Sequence, residues 1–279
     1  PIIAAIKENT DYDICVLTFN QHKELFQFNP KIKHVFGINY SLIGFIKALF
    51  ILLRGKFHVA INAHRSSRLD FLCYLAGISH RLGFSSPEKS TRFLTSSVPF
   101  DLAMSRHKRY LALVSLLIDD RVDTAQYLPE FIPNESMNAT SQFETSYIVI
   151  APFGGANSFS QMPTRKWKKY QQLISDLLIK YPTHFIYVVG SDSEKVDLNV
   201  LAQLNERVHV YTKSIHHLAL LLQKAALFIG NDSFPLFMAV SQHCPSIGIF
   251  GPTDAQLIVS DYKNVNYIQS DVSCSPCYN

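Results

Sequence analysis

The strongest chemical signal in the sequence is the run Gly230-Asn231-Asp232-Ser233, which follows a buried apolar strand and precedes a helix with Pro235 in its first turn. Proline is favoured there because the missing N–H would have had no partner inside the helix. A helix start offers free backbone N–H groups and a positive dipole end, which bind phosphate, and the Ser233 hydroxyl can add a donor. An ordinary helix capped by Asp232 or Ser233 explains the same residues. The run is therefore a candidate phosphate site with a simpler alternative.

A second candidate is the glycine pair Gly154 and Gly155, which follows another apolar strand, with Lys166 and Trp167 at the start of the next helix. Paired glycines let the backbone approach a ligand closely, and a lysine can neutralise a diphosphate as a point charge. A glycine turn with a solvated lysine is the alternative interpretation. The spacing does not fit the phosphate-loop pattern GxxxxGK[ST], so that type of nucleotide site is not predicted.

Basic side chains in the first half form a third group of candidates. His64, Arg65 and Arg68 follow a predicted strand, and Arg106 opens a basic run at the start of a predicted helix. Arginine binds phosphate through two parallel N–H···O bonds, so these residues suit a phosphorylated partner. Solvated helix and loop surfaces are the alternative. The net charge of +4 is too small for a nucleic-acid binder but fits an acidic ligand or an anionic membrane surface.

The five cysteines do not indicate a secreted disulfide framework, because their number is odd and most are scattered along the chain. A reducing cytoplasm is the expected compartment. Cys274 and Cys277 form a CxxC pair without two further zinc ligands, so plain thiols and no metal are predicted.

The longest apolar run, from Ser41 to Leu53, is shorter than the ~20 residues that span a bilayer and predicts a buried or interfacial helix.

The elements that must position these residues alternate between short apolar strands and longer helical patterns, which predicts parallel sheets with crossover helices. A length of 279 residues favours two such domains. The polar segment 127–145, with Pro129 and Pro133, predicts a linker, so the domains are placed at 1–140 and 141–279. Strands are predicted at 13–19, 34–39, 58–63, 146–151, 184–190, 208–211, 227–230 and 245–250, and helices at 21–28, 42–53, 167–180, 194–205, 215–225 and 235–243.

In their order and spacing, these motifs resemble the ADP-heptose:lipopolysaccharide heptosyltransferases of glycosyltransferase family 9. The resemblance spans residues 146–277 and is looser in the first half, where it rests on the stretches 57–62 and 81–84. The motifs that carry it are the glycine loop, Lys166-Trp167, a strand ending at Gly190 with Glu194 four residues on, Lys213-Ser214, the run 230–233, Phe250-Gly-Pro-Thr-Asp254 and Cys274-Ser-Pro-Cys277.

The resemblance implies two Rossmann-like doubly wound domains facing a cleft, the GT-B type, with the donor bound by the second domain. Lys166 and the helix after Asp232 would hold the diphosphate, Glu194 would contact the ribose, and Asp232 would contact the transferred sugar. The implied donor-binding set is Gly154, Gly155, Lys166, Glu194, Asp232, Ser233 and Phe234, and the implied acceptor-binding set is His64, Arg65, Arg68 and Arg106.

The implied reaction is an inverting transfer of a sugar, expected to be heptose, from an ADP-heptose-like donor to a phosphorylated lipopolysaccharide inner-core acceptor. No metal or cofactor is expected, and a cytoplasmic protein with peripheral contact with the inner membrane is implied. The family also places a first strand, a glycine-containing loop and a candidate catalytic Asp before the helix with which this sequence begins. The general base is therefore left unassigned, and neither Asp70 nor Asp101 is given that role.

The chain departs from the family pattern at Phe234 and Phe237, where the family usually has Gly and His. Phe234 adds bulk where the backbone should approach phosphate, and Phe237 lacks a hydrogen-bond donor. One alternative is thus a catalytically weakened relative that serves as a binding or assembly protein. Another is a nucleotide-sugar epimerase of related two-domain architecture.

Overall fold

The computed structural model shows two compact α/β units, Pro1–Tyr127 and Leu128–Asn279. The structure describes residues 1–118, 122–123, 126–134, 136, 143, 145–154, 156–157, 160–161 and 165–277. The predicted domain boundary near residue 140 lies outside the described residues. No helix in the described part of the chain is both long and apolar enough to cross a membrane.

The first unit contains two parallel sheets, β1-β2 and β3-β4-β5. Its elements are α1 (Ile2–Asn9), β1 (Ile14–Phe19), a 3-10 helix (Asn20–Leu25), β2 (Ile32–Ile38), α2 (Leu42–Gly55), β3 (Val59–Asn62), α3 (Ser67–Leu75), β4 (His80–Ser85), β5 (Ser96–Pro99) and α4 (Arg106–Leu111). Ala5 of α1 and Leu111 of α4 belong to one buried apolar cluster, against which Ile14 of β1 and Ile61 of β3 also pack. The helices α1 and α4 therefore cover strands of both sheets.

The second unit contains a six-stranded parallel sheet with the order β10-β9-β6-β11-β12-β13, and a short antiparallel pair, β7-β8. Its elements are β6 (Tyr147–Ala151), β7 (Ala156–Asn157), β8 (Ser160–Gln161), α5 (Tyr170–Lys180), β9 (Phe185–Val189), a 3-10 helix (Asp192–Glu194), α6 (Lys195–Ala202), β10 (Val208–Tyr211), α7 (Ile215–Gln223), β11 (Leu227–Asn231), α8 (Phe234–Ser241), β12 (Ser246–Phe250), α9 (Ala255–Val259) and β13 (Val265–Gln269).

The order of these six strands creates a switch point between β6 and β11. From β6 the chain winds outward through β9 to β10, and then it returns to the other side of β6 as β11 before continuing to β12 and β13. In doubly wound sheets ligands bind in the crevice at the carboxyl ends of the strands at such a reversal. The loops after β6 and β11 are therefore the first place to look for a ligand site.

The core of the second unit forms because its central strands are apolar on both faces, as strands covered by helices on both sides must be. All five residues of β6 are buried. Ile150 of β6 and Val188 of β9 pack in one cluster with Ile174 of α5 and Leu198 of α6, all four with no exposed surface. Burial of one such side chain contributes about 2–3 kcal/mol, so this cluster holds α5 and α6 on the sheet.

The helix predicted at 21–28 is wrong, because the structure has only a 3-10 helix at Asn20–Leu25 with no buried residue. Its sequence, NQHKEL, has no apolar stripe that could hold a longer helix against the core. The helix predicted from residue 167 begins at Tyr170, the first buried residue of α5.

Candidate donor and acceptor sites

Gly154 brings the loop after β6 into contact with the start of α8. Its φ angle is +131°, in a region that L side chains rarely adopt, and a Cβ added there would lie 2.6 Å from Ser233 Cβ. Only glycine fits this backbone, because both its conformation and the space around it exclude a side chain. Two residues predicted to bind the donor thus meet at the switch point, whereas Gly155 lies outside the described residues.

Replacement of Gly154 by alanine is expected to destabilise the second unit by about 1–3 kcal/mol from backbone strain, with a further cost from the collision with Ser233. Urea unfolding followed by circular dichroism measures the loss. The double variant Gly154→Ala/Ser233→Gly removes the colliding Cβ and should recover only the collision part. Gly77→Ala is the matched control, since Gly77 has a φ of +70° but nothing within 4 Å of an added Cβ. A Gly154→Ala loss no greater than that of Gly77→Ala would contradict the close contact.

The Asn231 side chain connects the carboxyl ends of β6 and β11 by hydrogen bonds. It is fully buried, and its Nδ2 donates to the Pro152 carbonyl oxygen at 2.9 Å. The Tyr170 hydroxyl donates to Asn231 Oδ1 at 3.0 Å. Burial raises the pKa of Tyr170, so this hydroxyl stays protonated and remains a donor. The ends of β6 and β11 and the first turn of α5 are therefore joined by one satisfied buried amide.

Asp232 is buried between two partners at the carboxyl end of β11. Its Oδ2 accepts a hydrogen bond from Thr253 Oγ1 at 2.9 Å and lies 3.6 Å from Arg165 Nη2. Asp232 is only 4% exposed. The Arg165 Nε atom is buried and has no hydrogen-bond partner among the residues that the structure describes. A guanidinium with an unpaired N–H thus lies next to the predicted sugar contact, where it can bind an anionic oxygen.

Arg165, which precedes Lys166 in the same run, is a further donor-side candidate that the predicted binding set did not include. The prediction chose its neighbour Lys166, whose side chain is exposed and whose Nζ lies 5.5 Å from the centroid of the Phe153 ring. Phe153 belongs to the loop that carries Gly154, so Lys166 also lies beside this loop. The residue type could have pointed to Arg165, because the planar set of N–H donors on arginine matches phosphate better than the single ammonium group of lysine does.

Ser233 occupies the N-cap position of α8, but its side chain does not cap the helix. Its hydroxyl instead donates to the Asn231 carbonyl oxygen at 3.2 Å. Phe234 follows at the first helical position with 45% of its surface exposed. Ser233 is therefore the N-cap residue, as the simpler interpretation allowed, but no side-chain cap hydrogen bond is found at this helix start among the described residues.

Glu194 lies after β9, the strand next to β6, at the same edge of the sheet. Its Oε2 accepts hydrogen bonds from the Ser191 N–H at 2.9 Å and from Ser191 Oγ at 2.8 Å. The bond from the Ser191 N–H is one half of a capping box, in which the Ser191 side chain accepts from the Glu194 N–H, at the start of the 3-10 helix. The carboxylate that was predicted to contact the ribose is thus held in place by local capping.

Two arginines of the first unit contact one aromatic ring at the end of β5. The guanidinium carbons of Arg65 and Arg109 each lie 4.5 Å from the centroid of Phe100. Arg109 is buried, and its Nη2 donates to the carbonyl oxygens of Met104 at 2.7 Å and Leu102 at 3.3 Å. Burial lowers the pKa of Arg109, and the nearby charges of Arg106 and Arg65 act in the same direction. Arg109 is a member of this basic cluster that the site prediction omitted, although it belongs to the run that Arg106 opens.

Asn62, at the end of β3, shapes the loop that carries His64 and Arg65. Its Oδ1 accepts from the His64 N–H at 3.0 Å, and its Nδ2 donates to the Ser66 carbonyl oxygen at 3.1 Å and to Asp70 Oδ1 at 2.6 Å. His64, Arg65 and the following Arg68 are exposed. The structure thus places these predicted acceptor residues on and beside one organised loop.

Asp70 is held behind this loop in a buried ion pair. It is 1% exposed, and its Oδ2 lies 2.7 Å from Nζ of Lys89, which is itself 8% exposed. The pair is not aligned as a hydrogen bond, so the attraction between opposite charges holds it. The carboxylate of Asp70 is thus buried and paired, and its exclusion from the catalytic role stays a prediction.

The described residues contain no group of three or more His, Cys, Asp or Glu that could hold a metal ion. Cys274 and Cys277 are exposed free thiols. Burial raises the pKa of Cys73 to about 11 and that of Cys244 to about 12, so these thiols stay protonated near neutral pH. The metal independence of the reaction stays a prediction.

The sequence matches glycosyltransferase family 9 (heptosyltransferase) over residues 46–279. The chain belongs to this family. It is therefore a glycosyltransferase, as the resemblance of its motifs implied. No curated protein matches the sequence.

Solved structures of family 9 share the fold of this glycosyltransferase. The ADP-heptose lipopolysaccharide heptosyltransferase II of Escherichia coli has a TM-score of 0.77 at 16% identity, covering 96% of this chain and 86% of its own. A family 9 protein of Veillonella parvula has a TM-score of 0.76 at 16% identity, with coverages of 97% and 81%. Escherichia coli heptosyltransferase WaaC, solved with ADP-2-deoxy-2-fluoro heptose, has a TM-score of 0.71 at 14% identity, with coverages of 96% and 88%. The predicted α/β fold of the GT-B type is confirmed.

A UDP-GlcNAc 2-epimerase of Methanocaldococcus jannaschii is similar to this family 9 chain at a lower level. Its TM-score is 0.57 at 14% identity, and the match covers 96% of this chain and 84% of the epimerase. Identities this low show a common fold and nothing of the chemistry. The similarity to the epimerase therefore supports a shared architecture only, whereas the family that the sequence matches is a family of transferases.

Proposed function

We propose that this glycosyltransferase moves a heptose from ADP-heptose to a phosphorylated lipopolysaccharide inner-core acceptor, with inversion at the anomeric carbon. The proposal rests on two contacts at the switch point of the six-stranded sheet. Gly154 packs on Ser233, and Arg165 lies next to Asp232. The solved WaaC structures hold ADP and an ADP-heptose analogue, which supports the donor class. We also place the reaction in the cytoplasm, in keeping with the scattered cysteines.

In this reaction the acceptor hydroxyl gives its proton to a general base and attacks the anomeric carbon, the bond from that carbon to the diphosphate oxygen breaks, and ADP leaves. Negative charge then grows on the diphosphate. Arg165, Lys166 and the first turn of α8 would stabilise that charge, because donors fixed in advance cost no reorganisation during the reaction. Asp232, held by Thr253 and Arg165, would contact the transferred sugar. Glu194 would bind the ribose.

The acceptor would be bound by the first unit. Arg65 and Arg109 contact Phe100, and the charge of Arg106 acts on Arg109, so these three cations fit phosphate groups on an inner-core sugar. His64 and Arg68 would add contacts from the loop that Asn62 shapes. No described residue is assigned as the general base, and no metal or other cofactor has a role in the proposed reaction.

Calorimetric titration of the full chain with ADP and with ADP-heptose tests the donor side, with UDP as the comparison nucleotide. We expect both adenine ligands to bind, and Arg165→Met to weaken ADP binding about 10-fold through the loss of one charge-assisted contact. Lys168→Met is the matched control, because Lys168 is an exposed cation in the same segment. Equal ADP affinities of the two variants would contradict the role of Arg165.

Absence of binding by the native chain would overturn the proposal. If Phe234→Gly then restored ADP binding, the bulky side chain at the start of α8 would be shown to block the site, as in a weakened relative. Release of ADP from ADP-heptose should occur only when the lipid acceptor is supplied. Nucleotide release or sugar isomerisation without acceptor would indicate the epimerase chemistry instead.

A further inference from the structure

Helix α2 exposes a continuous apolar stripe. Ile43, Ile46, Phe50 and Leu53 are three, four and three residues apart, so they lie on one face of the helix. They are 78%, 48%, 57% and 47% exposed, and Leu42 extends the stripe with 77% exposure. Single exposed apolar residues are normal, but a contiguous apolar face on a folded unit marks an interaction surface.

The stripe is not the face by which α2 attaches to its own unit. Gly44, Ala48 and Leu52 are the buried residues of the helix, and α2 contacts β2 and α3. The helix has a defined start, because Ser41 Oγ accepts a hydrogen bond from the Gly44 N–H at 3.0 Å. An anchored helix therefore holds its second apolar face toward solvent.

The stripe lies in a segment of the sequence with a net positive charge. Lys47 and Arg54 are exposed on α2 and border the stripe, since each lies three or four residues from Phe50. The segment from Leu25 to Leu69, which contains α2, has no Asp or Glu. It carries seven cationic side chains, namely Lys31, Lys33, Lys47, Arg54, Lys56, Arg65 and Arg68, of which Lys33 is paired with Asp13 from outside the segment.

We propose that the stripe of α2 docks on an anionic membrane surface, with the helix lying in the plane of the interface. A helix of 14 residues is about 21 Å long, which suits an interfacial position. Apolar side chains enter the boundary between headgroups and acyl chains, and each cation near an anionic lipid surface adds about 1 kcal/mol. Helix α2 itself carries no acidic residue, so it adds no repulsion from an anionic surface.

A second copy of the chain fits this face less well. A symmetric dimer would bring the same patch against itself, and cations on one copy would then face cations on the other. Like charges brought together without an intervening acid repel each other. Anionic lipid supplies the opposite charge, so the charge pattern favours the membrane.

Sedimentation with vesicles tests the inference without donor or acceptor, so its outcome is independent of sugar transfer. The native chain should bind vesicles of phosphatidylcholine with about one-third phosphatidylglycerol, and salt should weaken this binding. Ile46→Ser/Phe50→Ser should lower the binding constant about 10-fold or more. Ile179→Ser/Val196→Ser is the matched control, because those two side chains are 80% and 77% exposed on helices of the second unit; it should bind as the native chain does.

The contribution of charge is tested with Lys47→Gln/Arg54→Gln, which should weaken binding to the anionic vesicles. The control Lys180→Gln/Lys263→Gln removes two cations of the second unit and should leave that binding unchanged. Equal binding of all variants would overturn the proposal, as would a native chain that ignores the phosphatidylglycerol content. Sedimentation equilibrium without lipid provides the other contrary outcome. A dimer that Ile46→Ser/Phe50→Ser dissociates would assign the face to self-association. A native chain that fails to bind vesicles but transfers sugar would contradict the docking surface alone.

Discussion

Replacement of Asp232 by asparagine is expected to lower kcat/KM for sugar transfer by about 100-fold to 1000-fold, the range found when one preorganised group is removed from an active site. The carboxylate lies at the carboxyl end of β11, 3.6 Å from Arg165 Nη2 and within hydrogen-bond distance of Thr253 Oγ1. Asparagine keeps the shape and can still accept from Thr253, but it carries no charge to act on the reacting sugar or to balance Arg165. The fold should therefore survive while the chemistry is lost.

The measurement is acceptor-dependent release of ADP, with kcat and KM determined separately. We expect most of the loss in kcat, because a contact to the transferred sugar acts where charge develops in the transition state. Asp176→Asn is the matched control, since Asp176 is exposed on α5 of the same unit, and it should retain native kinetics and thermal stability. An Asp232→Asn enzyme within about threefold of the native kcat/KM would remove Asp232 from the site.

The sheet of the second unit is predictable where its strands are buried. The strand predicted at 208–211 has the bounds of β10, and β11 differs from its prediction by one residue, because both strands contain buried apolar residues, although β10 lies at an edge of the sheet. The strand β13 was missed. It lies at the edge of the sheet with three of its five residues exposed, so no buried run distinguishes it from a loop.

The meeting of Gly154 with Ser233 and Asp232 could be anticipated, because the carboxyl ends of neighbouring parallel strands lie at one edge of a sheet. Which of the adjacent cations Arg165 and Lys166 pairs with Asp232 could not be anticipated. Arg165 rather than Lys166 pairs with Asp232, and the backbone path that decides this comes from the irregular segment before α5. Such a segment has no periodicity from which side-chain directions can be derived. Arg109 was left out for a different reason, since it lies in a run of cations on α4 that suggests a solvated helix, whereas its side chain is buried on Phe100.

The second large effect concerns stability and is expected for Lys89→Met, which should cost about 3–5 kcal/mol in the free energy of unfolding. Lys89 and Asp70 are 8% and 1% exposed, and their charged atoms are 2.7 Å apart. Methionine fills the space of the lysine stem but leaves the Asp70 carboxylate buried without a counterion. Asn62, which donates to Asp70 and shapes the loop of His64 and Arg65, would lose a fixed partner.

Urea unfolding followed by circular dichroism measures this loss, and Asp70→Asn/Lys89→Met provides the critical comparison. The double variant removes both charges and keeps an oxygen for Asn62, so it should recover most of the stability, because an uncompensated buried charge costs more than the pair contributes. Lys33→Met is the matched control. Lys33 pairs with Asp13 at 2.6 Å, but the side chains are 55% and 66% exposed, and breaking a solvated pair should leave the unfolding midpoint unchanged. If Lys89→Met behaved like Lys33→Met, the carboxylate of Asp70 would have to reach water once Lys89 is gone, and Asn62 would then be free to release the loop that carries Arg65.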